Sequence, residues 1–129
     1  AGDGVLFNDL SNKILKYNLS DTTVLLGYKE NPYPYIKKSD WYLVTSFHET
    51  FSMVAAEAMI LGTPVMATDM PVTRELISNE NGIICNNSED GIYNTLKDIL
   101  SEKVRMPNEI KPKKEVMDAD KIIKDVFSI

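Results

Sequence analysis

The sequence predicts an α/β fold, a doubly wound parallel sheet with helices on both faces, and three observations point to it. Short runs at residues 23–26, 41–45, 64–68 and 83–85 alternate with stretches of helical periodicity. These runs are nearly all apolar instead of apolar at every second residue, the mark of strands buried on both faces. Parallel strands need a crossover between them, usually a helix, and the right-handedness of such crossovers restricts the topology to this class.

Taken in order, Leu6, Leu10, Ile14 and Tyr17 recur at helical spacing with Asn8, Asp9, Ser11, Asn12 and Lys13 between them. This predicts an amphipathic helix over residues 5–17 with one buried stripe. Thr23-Val24-Leu25-Leu26, closed by Gly27, and Trp41-Tyr42-Leu43-Val44-Thr45 read as strands. Between them Asn31-Pro32-Tyr33-Pro34 predicts a turn, since a proline disfavours helix in the residue before it, with one helical turn over 35–39. Phe51 to Leu61 is rich in Ala, Met and Leu and stops at Gly62, a helix with its termination signal. Pro64 to Thr68 reads as a strand whose proline takes the first position, where a missing N–H is tolerated. Asn81-Gly82 turns into the strand 83–85, and Ile92, Leu96, Ile99 and Leu100 mark a helix begun by Glu89 and Asp90. Beyond Pro107 and Pro112, Val116, Ala119, Ile123 and Val126 predict a last helix.

The 129 residues are read as one domain over 1–129, and the start Ala1-Gly2-Asp3-Gly4, without Met and opening on turn residues, as the interior of a longer chain. A net charge of -5 argues against a nucleic-acid surface, which needs a basic face. No apolar run approaches the roughly 20 residues that span a bilayer. Cys85, the single cysteine, leaves no intramolecular disulfide and suits a reducing cytoplasmic compartment.

In sheets of this class ligands sit beyond the carboxyl ends of the strands, which directs attention to residues 45–52. A helix tip offers unpaired N–H groups and about half a positive charge, a ready site for a diphosphate. Ser52 is the expected cap, and Met53, Val54, Ala55 and Ala56 put no charged side chain in the first turn. Glu49 precedes the helix, and Glu57 sits inside it on a side chain that leans back toward its start, so both carboxylates can face one pocket. Carboxylates repel phosphate but accept sugar hydroxyls, each such bond contributing roughly 1.5–3 kcal/mol. The pattern suits a diphosphate between two hydroxylated rings.

Glu49 and Glu57, within Ser46-Phe47-His48-Glu49-Thr50-Phe51-Ser52 and Ala56-Glu57-Ala58-Met59-Ile60-Leu61-Gly62-Thr63-Pro64-Val65, resemble the signature of family-4 glycosyltransferases. Gly2-Asp3-Gly4, Leu25-Leu26-Gly27-Tyr28, Ser39-Asp40, Ala67-Thr68-Asp69, Arg74-Glu75-Leu76-Ile77 and Asn81-Gly82-Ile83-Ile84 follow in that family's order, so the resemblance covers roughly residues 2–100. It implies the Rossmann-like C-terminal half of a GT-B enzyme that transfers a sugar with retention from a nucleotide diphosphate sugar. Glu49 would contact the donor sugar as the catalytic carboxylate, and Glu57 would bind the ribose. Thr50, Phe51, Ser52, Met53 and Val54 would hold sugar and diphosphate, and Gly27, Tyr28 and Lys29 would lie near the base. No cofactor and no metal are implied. The partner is the N-terminal acceptor domain, expected ahead of Ala1, and membrane contact would come only through that half, at the inner face. This stretch alone is expected to be inactive, with little besides His48, Lys29 and Arg74 to offset a diphosphate. Thr50 stands where the family often has glycine. Two further readings are a non-catalytic nucleotide- or sugar-binding module and a nucleotide-sugar epimerase on the same scaffold.

Other residues have simpler readings. His48 has no nucleophile or metal partner in sequence and reads as a loop residue beside the pocket. Asp118 and Asp120 have metal-motif spacing but lie on the predicted last helix, where residues two apart diverge. Cys85 reads as a small buried hydrophobe and Glu75 as a helix-start residue. For Tyr28, Tyr33 and Tyr35, stacking on a base and packing on the sheet both stay open.

Overall fold

The computed structural model of the chain describes residues 2–50 and 52–111, and these fall into two compact units, one ending at Pro34 and one beginning at Tyr35. The expected last helix, with Asp118 and Asp120, lies outside the described residues, as does Phe51.

In the first unit α1 spans Phe7–Lys16, with Asp9 in its first turn and Lys13 and Lys16 in its last, charges that complement the helix dipole. The expected buried stripe is not found. No residue of α1 is buried, and Leu10 is 46% exposed. Leu6, Phe7 and Leu10 instead line an open groove together with Val24, Leu25 and Leu26. Residues 23–26, expected as a strand, form none. Their composition suits a pleated surface, but a strand exists only through hydrogen bonds to a neighbour, and no described residue supplies them. Gly27 closes the run at φ +64°, and its carbonyl accepts from Gly2 N–H at 2.8 Å.

The short helix α2 spans Tyr33–Lys37, two residues earlier than expected. Its start precedes Pro34 because a proline in the first turn gives up an N–H that has no intrahelical partner there. Asn31 Oδ1 accepts from Tyr33 N–H at 3.1 Å.

The second unit is an α/β unit of the Rossmann-like class. Its elements are β1 (Tyr42–Val44), α3 (Met53–Ile60), β2 (Val65–Thr68), α4 (Pro71–Leu76), β3 (Gly82–Cys85) and α5 (Glu89–Leu100). The three strands are parallel in the order β1-β2-β3. Their register sets Leu43 beside Met66 and Ile83, and Val44 beside Ala67 and Ile84. All four residues of β2 are buried, as its uninterrupted apolar run requires of a central strand.

Helix α3 packs on β1 and β2 through Ala55, Ala56, Ala58 and Met59, and three alanines let it approach the sheet closely. It ends as its sequence predicts. Gly62 takes φ +83°, Gly62 N–H donates to Met59 O at 3.0 Å, and Thr63 N–H to Ala58 O at 2.9 Å. This is a Schellman motif, and Pro64 directly after it prevents continuation. Thr63 is buried with its hydroxyl donating to Ile36 O at 2.8 Å, so α2 is tied to the start of β2.

Helix α4 was not read from the sequence. Its signal is Pro71 at the first position, where a fixed φ suits the helix and the lost N–H is harmless. The buried Thr73 hydroxyl secures it, donating to Thr68 O at 2.7 Å and accepting from Met70 N–H at 3.0 Å. At α5 the Ser88 hydroxyl accepts from Gly91 N–H at 3.0 Å. Glu89 and Asp90 lie at the positive end, as expected.

Candidate functional site

The carboxyl ends of the three parallel strands converge on residues 45–52, the segment between β1 and α3. The first bonds of α3 run from Ala55 and Ala56 N–H to Ser52 O, at 3.1 and 3.2 Å. The N–H groups of Met53 and Val54 lie ahead of these and are the ones a helix leaves without an intrahelical partner. Both residues are exposed, Met53 by 45% and Val54 by 40%.

Ser52 precedes the helix, but the expected cap is not made. Its φ and ψ are -87° and 68°, and its side chain accepts no bond from the first turn. Ser52 is 0% exposed, and among the described residues its Oγ is the one buried side-chain polar atom with no hydrogen-bond partner. Such a hydroxyl costs roughly 1–3 kcal/mol if left unsatisfied. It belongs to the residue directly ahead of the first turn of α3.

Glu49 is half-buried in the loop, and Glu57 is half-buried in the second turn of α3. The negative charge of Glu57 acts on the Tyr42 hydroxyl. Burial first, and then this negative charge, holds the Tyr42 phenol above its ordinary value. The neutral phenol is thus favoured in the folded chain. Its contribution to stability is complete below about pH 10, the unfolded value, and is lost as pH rises through the raised folded value. Cys85, raised by burial first, acts in the same direction. Tyr42→Phe is therefore expected to flatten the stability curve above pH 10 and leave its neutral part in place, as read by denaturant unfolding across pH. Equal alkaline slopes in variant and parent would contradict the placement of Tyr42.

Thr50 is exposed, and positive φ among described non-glycine residues occurs only at Asn18 and Glu102. The substitution of glycine at this position therefore stores no left-handed strain. His48 is exposed in the loop. Arg74 projects from α4 and forms a bidentate pair with Asp69, at 2.6 and 2.8 Å, just beyond β2. This pair holds the Asp69 carboxyl below its ordinary value. Arg74 is thus paired with a carboxylate. Glu75 lies in the second half of α4 and not at its start. Gly27, Tyr28 and Lys29 belong to the first unit.

Comparison with known proteins gives the family and the fold. The family of glycosyl transferases group 1 matches residues 1–117. The N-acetylgalactosamine-N,N'-diacetylbacillosaminyl-diphospho-undecaprenol 4-alpha-N-acetylgalactosaminyltransferase of Campylobacter jejuni is 32% identical over 98% of this chain and 36% of its own length. The UDP-Gal:alpha-D-GlcNAc-diphosphoundecaprenol alpha-1,3-galactosyltransferase of Escherichia coli is 30% identical over 81% of this chain and 28% of its own. The chain thus spans between about a fifth and about a third of the length of the curated relatives it matches. The solved lipopolysaccharide outer core galactosyltransferase WaaB in its apo form superposes with a TM-score of 0.72 at 24% identity, covering 82% of this chain and 32% of that one. That likeness concerns the fold. Among the described residues no helix is long and apolar enough to cross a membrane.

Proposed function

The chain belongs to the glycosyl transferases group 1 family, and from that premise we propose that it forms the donor-binding part of a retaining enzyme that takes a sugar from a nucleotide diphosphate sugar. The observation that carries the reading is the buried Ser52 hydroxyl, directly ahead of α3, which has no hydrogen-bond partner among the described residues. A diphosphate there accepts from the amides of residues 52–54 and from Ser52. Glu49, ahead of the tip, takes hydroxyls of the donor sugar as the catalytic carboxylate, and Glu57 takes the ribose. Thr50 and Phe51 line the turn between sugar and diphosphate.

The leaving diphosphate itself assists removal of the acceptor proton, so transfer runs without a metal. Activity retained in EDTA is the expected result, and restoration only by an added divalent cation would contradict it. The relatives named for diphospho-undecaprenol substrates support a lipid-linked or glycan acceptor, met at the inner face of the membrane by the N-terminal acceptor domain of the longer protein. This stretch alone binds donor weakly and transfers nothing, since α3 contributes only about 0.3–2 kcal/mol of dipole stabilisation against two neighbouring carboxylates. Calorimetric titration of the full-length protein with UDP, GDP and ADP, and with UDP-galactose, GDP-mannose and ADP-glucose, tests the reading. Binding of at least one pair is expected, and binding of none would refute it.

A further inference from the structure

The loop that carries Glu49 is only lightly packed. None of residues 46–50 is buried, and the Phe47 ring is 51% exposed. Among the described residues two side-chain hydrogen bonds reach its carbonyls, and both come from the carboxyl ends of the other strands. The hydroxyl of Thr68, the last residue of β2, donates to Ser46 O. Asn87, two residues past β3, donates from Nδ2 to Phe47 O at 3.2 Å. The register explains the reach. Val44 pairs with Ala67, so Thr68 stands beside Thr45 and meets the next carbonyl, while Thr68 pairs with Cys85, so Asn87 extends beyond the end of β2.

Two successive carbonyls, each bound to a different strand, fix two successive peptide planes immediately before His48 and Glu49. Thr68 is 0% exposed and suited to the task, because its β-branched side chain has few rotamers to lose. We propose that Thr68 and Asn87 are positioning residues that aim the 46–49 segment, and with it Glu49, at the donor sugar. This inference rests on the donor-binding reading above. It predicts a division of labour in which the helix tip and Glu57 hold the nucleotide, while the two strand-end side chains matter only when a sugar is attached.

The test uses the full-length protein and paired ligands, UDP with UDP-galactose, GDP with GDP-mannose and ADP with ADP-glucose, measured by calorimetry. Thr68→Val keeps the shape and removes the donor. It is expected to weaken the sugar-bearing ligand about tenfold while the sugar-free diphosphate changes less than about twofold, and Thr68→Ser, which keeps the hydroxyl, restores binding. Asn87→Ala is expected to act in the same direction by a smaller factor, and because Asn87 is exposed it keeps the test open should Thr68→Val fold poorly. Parent protein that binds the pairs, with variants that weaken both members equally or neither, overturns the positioning role and leaves the donor site standing. Equal losses in Thr68→Val and Thr68→Ser overturn it too, since the hydroxyl then does nothing. Parent protein that binds no pair overturns the donor reading and this inference together.

Discussion

In the full-length protein Glu57→Ala should weaken binding of the sugar-free nucleotide diphosphate roughly 10- to 150-fold, the range set by losing one charge-assisted hydrogen bond of about 1.5–3 kcal/mol. Glu49→Ala should leave that ligand nearly unaffected and cost a similar factor only when the sugar is present, with a further loss in kcat if Glu49 interacts more strongly in the transition state. The asymmetry follows from where the two carboxylates sit. Glu49 lies ahead of the amide tip of α3, and Glu57 lies more than a turn behind it, its charge helping to raise the Tyr42 phenol. In the proposed binding mode a diphosphate sits on the tip between them, with the sugar toward Glu49 and the ribose toward Glu57. Calorimetry with paired ligands and steady-state kinetics measure both effects, and equal responses of both ligands to either variant would contradict the assignment.

A large stability effect is expected at Gly82. A Cβ there would lie 2.2 Å from Val65 O, 3.1 Å from Val65 C and 3.2 Å from Ile77 Cγ2. Val65 is the register partner of Gly82 across the β2–β3 ladder, so the obstacle is backbone and cannot rotate away. Gly82→Ala must push β3 from β2 or unfold its start, at a cost of roughly 1–3 kcal/mol or more. Gly62→Ala is the comparison. Its Cβ would meet nothing within 4 Å, and it carries only the left-handed penalty of φ +83°, about 1–2 kcal/mol. Denaturant midpoints of the two variants separate a blocked ladder from a strained turn. A Gly82→Ala protein as stable as its parent would mean that β2 and β3 do not pair in this register.

Much of the fold was legible because it depends on local chemistry. The apolar run of β2 announces a central strand, and Gly62-Thr63-Pro64 announces the end of α3 and the start of the next strand. Residues 23–26 misled for the opposite reason, since their pattern records a preference that only a neighbouring strand can satisfy. The α1 stripe fails in the same way. Amphipathic spacing says which face is apolar, not whether anything covers it. At the candidate site, Glu49, Glu57 and the helix tip are proposed from their spacing and their family likeness. Thr68 and Asn87 were not legible in the sequence, because their carbonyl partners lie 22 and 40 residues away in the chain. Ser52 was read as a cap by its residue type. Its backbone angles withhold that bond, and its hydroxyl is left for another acceptor or donor.

The most direct measurement is a crystal structure of the full-length protein with an intact nucleotide diphosphate sugar. Phosphate oxygens within hydrogen-bond distance of the amides of residues 52–54 and of Ser52 Oγ are predicted, with the hexose on the Glu49 side and the ribose on the Glu57 side. A ligand bound elsewhere, or a tip of α3 covered by protein with Ser52 Oγ bonded to it, would contradict the account.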